Sequence, residues 1–185
     1  MNRKILTEKF LSTIISEFEG TIIKDLKGNF EKYVYSENLS ESELVLLLLS
    51  LSKFLEIKVL NELALNFAQA LQINKEVIEE ALEMPGINGM LNTYHKFRHF
   101  IDLNDKNSST EYGTVGLRMG ILSKQKMSQT SFELIFISIS ILNSCEKCVL
   151  AHENHATQIG VEKTKIHDAV RLAAILKGLQ ELTKA

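Results

Sequence analysis

Apolar positions recur along this chain at intervals of three and four residues almost from end to end. That is the period of an α-helix, and the two-residue alternation of a half-buried strand is scarce. Helices are predicted over 5–18 and 22–35, parted at Gly20, and then from a capping box, Ser40-x-x-Glu43, to about Phe54. Two more are predicted over 56–71 and 75–83, after which Pro85-Gly86 is expected to break the chain. A helix over 88–100, a polar loop over 102–112 and a second capping box, Thr130-x-x-Glu133, lead to a helix over 131–142. The turn Asn143-Ser144 is expected to cap a helix over 145–158 that Gly160 stops, and Thr164 to cap a last one running to the C-terminus. The expectation is an all-α fold of eight to nine helices.

The pattern also repeats. An offset of 90 carries Ser40, Glu43, Leu44, Ser50, Glu56, Val59 and Leu60 onto Thr130, Glu133, Leu134, Ser140, Glu146, Val149 and Leu150. Further on, an offset of 88 pairs Lys75, Ile78 and Ala81 with Lys163, Ile166 and Ala169. The chain is therefore read as one domain over 1–185 built from two related helical units, 40–84 and 130–184, around one core. At the first offset, Leu55, Lys58 and Glu62 stand opposite Cys145, Cys148 and His152. The first unit is then a copy without thiols.

Composition narrows the class. With 185 residues, 45% of them hydrophobic, the chain has enough to bury a sizeable interior. A net charge of −2 argues against a nucleic-acid binder, which normally shows a basic excess. The N-terminus interleaves charges with its apolar residues and offers no export signal, and the most apolar stretch, 44–51, is far below the roughly 20 residues that span a bilayer. No membrane association and a cytoplasmic location are expected. In that reducing compartment two cysteines do not usually form a permanent staple, so their spacing matters.

Cys145 and Cys148 stand three residues apart at a predicted helix start, close enough to oxidise to each other without unwinding the helix. Free amides of a first turn and the helix dipole stabilise a thiolate there. His152 lies four residues beyond Cys148, on the same helical face, where a neutral imidazole takes a thiol proton directly or through one water. The dipole favours Cys145 as the nucleophile and the position of His152 favours Cys148; the sequence leaves both open. Glu133 is either the support of His152 or only the third residue of a capping box. His155 continues the face of the cysteines, but it lies about 15 Å along the helix from Cys145, so one helix cannot wrap all four side chains around a zinc ion. His95, His99 and His167 are expected to be structural or surface residues.

The set Glu133, Cys145, Cys148 and His152, with LRMGIL, SFEL and the SCEKCVLAHENH block between Leu117 and Gly178, resembles the alkylhydroperoxidase D family of the carboxymuconolactone-decarboxylase-like fold. A weaker likeness extends upstream through PGINGMLNTYHKFRHF. The resemblance implies a relay in which Glu133 supports His152, His152 activates Cys148, and Cys145 resolves the sulfenate or mixed disulfide. It implies a hydroperoxide substrate, an AhpC-type peroxiredoxin partner, and a lipoamide- or thioredoxin-like donor. It also implies a homo-oligomer, trimeric in known relatives. No flavin, haem or nicotinamide motif is present, so reducing equivalents are expected from a thiol carrier, with no resident cofactor or metal. This sequence departs from the family at Lys147, where members carry a second histidine. Thiol–disulfide exchange needs only the pair and one base, whereas the resemblance no longer implies the family's peroxidase rate, because a lysine does not shuttle protons near neutral pH as an imidazole does. The rivals are a thiol redox sensor without peroxidase activity and a structural or interaction protein whose CxxC holds metal. Lactone decarboxylation is a weaker third reading, because those relatives do not rely on a cysteine pair.

Overall fold

A computed structural model describes residues 1–15 and 18–183 of the chain. Residues 16 and 17, within the predicted helix 5–18, and residues 184 and 185, at the end of the last predicted helix, lie outside the described residues. The described residues form eight α-helices and no strand: α1 (Arg3–Ile15), α2 (Thr21–Val34), α3 (Glu41–Phe54), α4 (Lys58–Ala70), α5 (Lys75–Asn104), α6 (Gln129–Leu142), α7 (Glu146–Gln158) and α8 (Lys163–Thr183). Short 3-10 turns at Ser108–Tyr112 and Gly120–Ser123 punctuate the connection from α5 to α6.

Two helices are apolar on every side and therefore sit at the centre. Every residue of α3 from Leu44 to Ser52 is buried, and so is every residue of α6 from Ser131 to Ser140. A helix without a polar face has no stable place at a protein surface. Burying each Leu or Ile in them contributes about 1.5–3 kcal/mol. They pack against each other, with α4 and α5 on α3 and with α7 and α8 on α6. One buried cluster runs from Leu6 in α1 to Leu179 in α8.

The predicted break at Pro85-Gly86 does not occur. Residues 75–104 form one helix with Pro85 inside it, and helix replaces the first residues of the predicted loop 102–112. A proline has no N–H for the carbonyl four residues earlier, here that of Ala81, and leaving that acceptor bare inside a core is costly. The Oγ of buried Ser50 in α3 donates to the Ala81 carbonyl at 2.6 Å. A tertiary hydrogen bond thus replaces the missing local one, and the helix continues.

The second capping box also fails. Ser40 caps α3 as expected, with the Glu43 side chain returning the bond. At α6, however, the cap is Ser128, whose side chain accepts from the Ser131 amide, and Thr130 lies within the helix. The register of the two halves shifts with it. The starts of α3, α4 and α5 at Glu41, Lys58 and Lys75 recur 88 positions on, at Gln129, Glu146 and Lys163. The left-handed residues Glu56 and Gln72 recur likewise as Ser144 and Gly160. In this register Ile57, Leu60 and Ala64 stand opposite Cys145, Cys148 and His152, correcting the offset of 90. The leucine-rich helices tolerate a two-residue slip in sequence, but the turns between them do not. Near the C-terminus, α8 begins at Lys163 rather than after a cap at Thr164.

Candidate functional site

Helix α7 begins at a sharp turn. Ser144 adopts a left-handed φ of 54°, and the Cys145 amide donates to the Ser140 carbonyl at 3.0 Å. Cys145 itself is the residue at the N-cap, with no side-chain cap bond, so the expected cap from Asn143-Ser144 is absent. Without such a cap, the first-turn amides of α7 are left to act on whatever anion approaches. Cys148 sits one turn along, 5.3 Å from Cys145 between Cα atoms, and the two sulfurs are joined as a disulfide.

Both cysteines are nearly closed to solvent, at 1% exposure for Cys145 and 5% for Cys148. Their surroundings differ. Cys148 lines a cavity of about 280 Å³ together with Lys147, Ala151 and His152 of α7 and Phe136 of α6. Leu91, Asn92 and His95 of α5 form the facing wall, and Met119 and Leu122 of the connecting segment complete it. Cys145 lies behind Cys148 and is not part of that wall.

The His152 ring stacks on Phe136, with centroids 4.2 Å apart and planes 19° from parallel. Its Nδ1 lies 2.6 Å from Oε2 of Glu133, while the other oxygen of that carboxylate lies 2.7 Å from Nδ1 of His155. Burial raises the pKa of Glu133, but the hydrogen bonds and charges of the two histidines outweigh it and hold the carboxyl below its ordinary range. An ionised carboxylate only accepts, so both rings donate from Nδ1. A neutral His152 then carries its lone pair on Nε2, ready to receive a proton. Glu133 takes no part in a helix cap, and the capping-box alternative is excluded by the position of Ser128.

Three features escaped the sequence reading. His95 reaches the cavity from α5; burial and then the charges of Arg98, Lys147 and His152 push its pKa down. Lys147, between the cysteines, is ion-paired to Asp102 near the end of α5 at 2.7 Å. That bond, with one from Ser109, pulls the Asp102 carboxyl down to about 2. A buried polar ladder braces the turn before Cys145: Asn92 donates to Ser140 Oγ at 3.0 Å and accepts from Asn143 at 2.9 Å, and Ser140 donates to Asn88 at 3.4 Å. The signal was present, since Asn88 and Asn92 stand four apart on one face of the predicted helix 88–100, but their partners Ser140 and Asn143 come from α6 and the turn after it. His99 pairs with Glu146 at 3.5 Å, and His167 takes no part in the site. Among the described residues no group of three or more His, Cys, Asp or Glu side chains is placed to hold a metal ion. Among the described residues no helix is long and apolar enough to cross a membrane.

The fold and the site together define an all-helical protein with a CxxC disulfide at a helix mouth, opening on a cavity shared with a carboxylate-supported imidazole. Residues 111–185, which contain Glu133, Cys145, Cys148 and His152, match the Carboxymuconolactone decarboxylase family. Among curated relatives, the alkyl hydroperoxide reductase AhpD of Anaeromyxobacter dehalogenans strain 2CP-C is 37% identical over 105 residues, 57% of this chain and 54% of that protein. The chain thus spans about half the length of that relative. AhpD of Rhodococcus erythropolis is 29% identical over 88% of this chain and 87% of its own, and that of Coxiella burnetii Dugway 28% over 86% and 89%. These likenesses support an AhpD-like reading of the chain, and its all-helical structure is consistent with the helical fold of that family.

Proposed function

We propose that the protein is an alkyl hydroperoxide reductase-like thiol–disulfide oxidoreductase whose working couple is Cys145 and Cys148. The observation that carries this reading is the asymmetry of the pair: Cys148 forms part of a cavity wall beside His152, and Cys145 is bonded to it from behind. That asymmetry supports Cys148 as the attacking sulfur and Cys145 as the resolving one. In the reduced protein the Cys148 S–H gives its proton to Nε2 of His152, and Glu133 steadies the resulting imidazolium. The thiolate attacks the terminal oxygen of a hydroperoxide: the O–O bond breaks, an S–O bond forms, and the alcohol leaves with the proton. Cys145 then displaces water from the sulfenic acid, closing the disulfide. A dithiol carrier of the lipoamide or thioredoxin kind returns two electrons through a mixed disulfide. An AhpC-type peroxiredoxin is the proposed protein partner, and a homo-oligomer, trimeric as in relatives, the proposed assembly in the cytoplasm.

One observation favours a second reading. Lys147 is tied to Asp102 and offers no titrating ring between the cysteines, so proton delivery to a leaving alkoxide has one base fewer. Disulfide exchange, as in a carrier or sensor, is less affected. Steady-state turnover of tert-butyl hydroperoxide and of a disulfide substrate, both with dihydrolipoamide, separates the two. Cys148→Ser is expected to abolish both reactions, and Cys145→Ser to trap a mixed disulfide. Turnover that survives Cys148→Ser would overturn the assignment, and disulfide turnover without peroxide turnover would favour the carrier.

A further inference from the structure

Neither the cysteine chemistry nor a metal site accounts for His155, yet its ring is bonded to Oε1 of Glu133 at 2.7 Å while His152 occupies Oε2 at 2.6 Å. The three side chains are graded in exposure: 3% for the carboxylate, 21% for His152 and 47% for His155. One ring faces the cavity of Cys148, and the other faces solvent.

We propose that His155 is a positioning residue for the redox pair, sharing the Glu133 carboxylate with His152 so that protonation of the solvent-side ring weakens the support for an imidazolium on the cavity side. The proposal rests on His152 acting as the base for Cys148. When the Cys148 S–H breaks and an N–H forms on His152, the new positive charge is stabilised by one buried negative charge. If His155 has already taken a proton from water, that carboxylate is neutralised, and a second imidazolium must form beside the first. Two imidazolium rings on one carboxylate would each oppose the other's charge.

The remaining neighbours do not relieve the competition. From α5, His95 faces the cavity, and Asp102 is held by Lys147 at the first turn of α7. On the outer face of α7, Glu153 approaches Lys163 at 4.0 Å. Burial, and then the charges of Arg98, Lys147 and His152, push the pKa of His95 down. A protonated His155 thus withdraws support from His152, and thiolate formation at Cys148 declines.

The test uses reduced Cys145→Ser protein, in which Cys148 is the single thiol, alkylated with iodoacetamide from about pH 5 to about pH 8 across the imidazole range. His155→Gln keeps an N–H donor for Glu133 but does not titrate. It is expected to raise Cys148 reactivity near pH 5.5 about threefold, moving the profile about half a pH unit toward acid. Carbon-13 spectra of the histidine rings should show two shared inflections for His152 in the presence of His155 and one inflection in His155→Gln. Superimposed alkylation profiles with independent ring titrations overturn the proposal. His152→Ala distinguishes the foundation from the inference. A profile that moves with His152→Ala but not with His155→Gln sinks only the sharing, and one that ignores both removes the base itself.

Discussion

Glu133 is the residue on which the site turns, because it is the buried charge that fixes the tautomer of His152. Its pKa is lowered overall: burial opposes ionisation, and the bonds to His152 and His155 more than compensate. A carboxyl depressed in the folded state stabilises that state fully above its unfolded value, about 4.3. The contribution fades as pH falls through the lower native value. The urea midpoint of the wild type is therefore expected to drop between about pH 5 and about pH 3 more steeply than that of Glu133→Gln, which has no charge to lose. Equal slopes in the two proteins would show that the carboxylate carries no such linkage. The sequence offered Glu133 in two roles, and only the observed position of Ser128 at the cap removed one of them. Cys145, Cys148 and His152 were legible because their spacing within one helix fixes their relation. His95 and Asp102 were not, because what brings them to α7 is the packing of α5 against it.

Helix α5 illustrates how one distant hydroxyl decides an element. Local chemistry ends a helix near Pro85, yet the acceptor left bare by the proline is satisfied from α3 by Ser50. Ser50→Ala is expected to destabilise the protein by about 1–3 kcal/mol, the cost of an unsatisfied buried carbonyl. In a Pro85→Ala background the amide of residue 85 supplies the missing donor, so the same substitution should cost under about 1 kcal/mol. Denaturant midpoints of the four proteins complete the cycle, and additive costs would refute the substitution of one bond for the other. The continuity of α5 has a consequence for the site. It carries Asn88, Asn92 and His95 on a single rigid rod that braces the turn before Cys145 and walls the cavity.

Across the molecule, the two halves are tied by a pair of buried acids. Glu80 of α5 accepts from the amides of Lys126 and Met127 just before α6, at 2.9 and 2.6 Å. Asp168 of α8 accepts from Ser36 and Asn38 just before α3, at 2.5 and 2.7 Å. The two acids stand 88 positions apart, as do the helix starts, so each half anchors the entry to the central helix of the other. This register supports the proposal that 40–84 and 130–184 are related units. Glu80→Ala and Asp168→Ala are each expected to cost about 1.5–3 kcal/mol, the worth of hydrogen bonds to a charged group. Hydrogen exchange should report the Glu80 loss in α6 and the Asp168 loss in α3. Protection lost uniformly over the chain would contradict that division.

Periodicity alone determined that the chain is helical and where a thiol pair would meet a helix start. These follow from interactions within a few residues, where 3.6 residues per turn dictates which side chains share a face. Only the tertiary structure decided that α5 runs through its proline and that His155 joins His152 on one carboxylate. Each of those outcomes depends on a donor or acceptor delivered from another helix. A buried polar group is satisfied by whatever the fold brings within about 3 Å of it, and local sequence does not encode that distance.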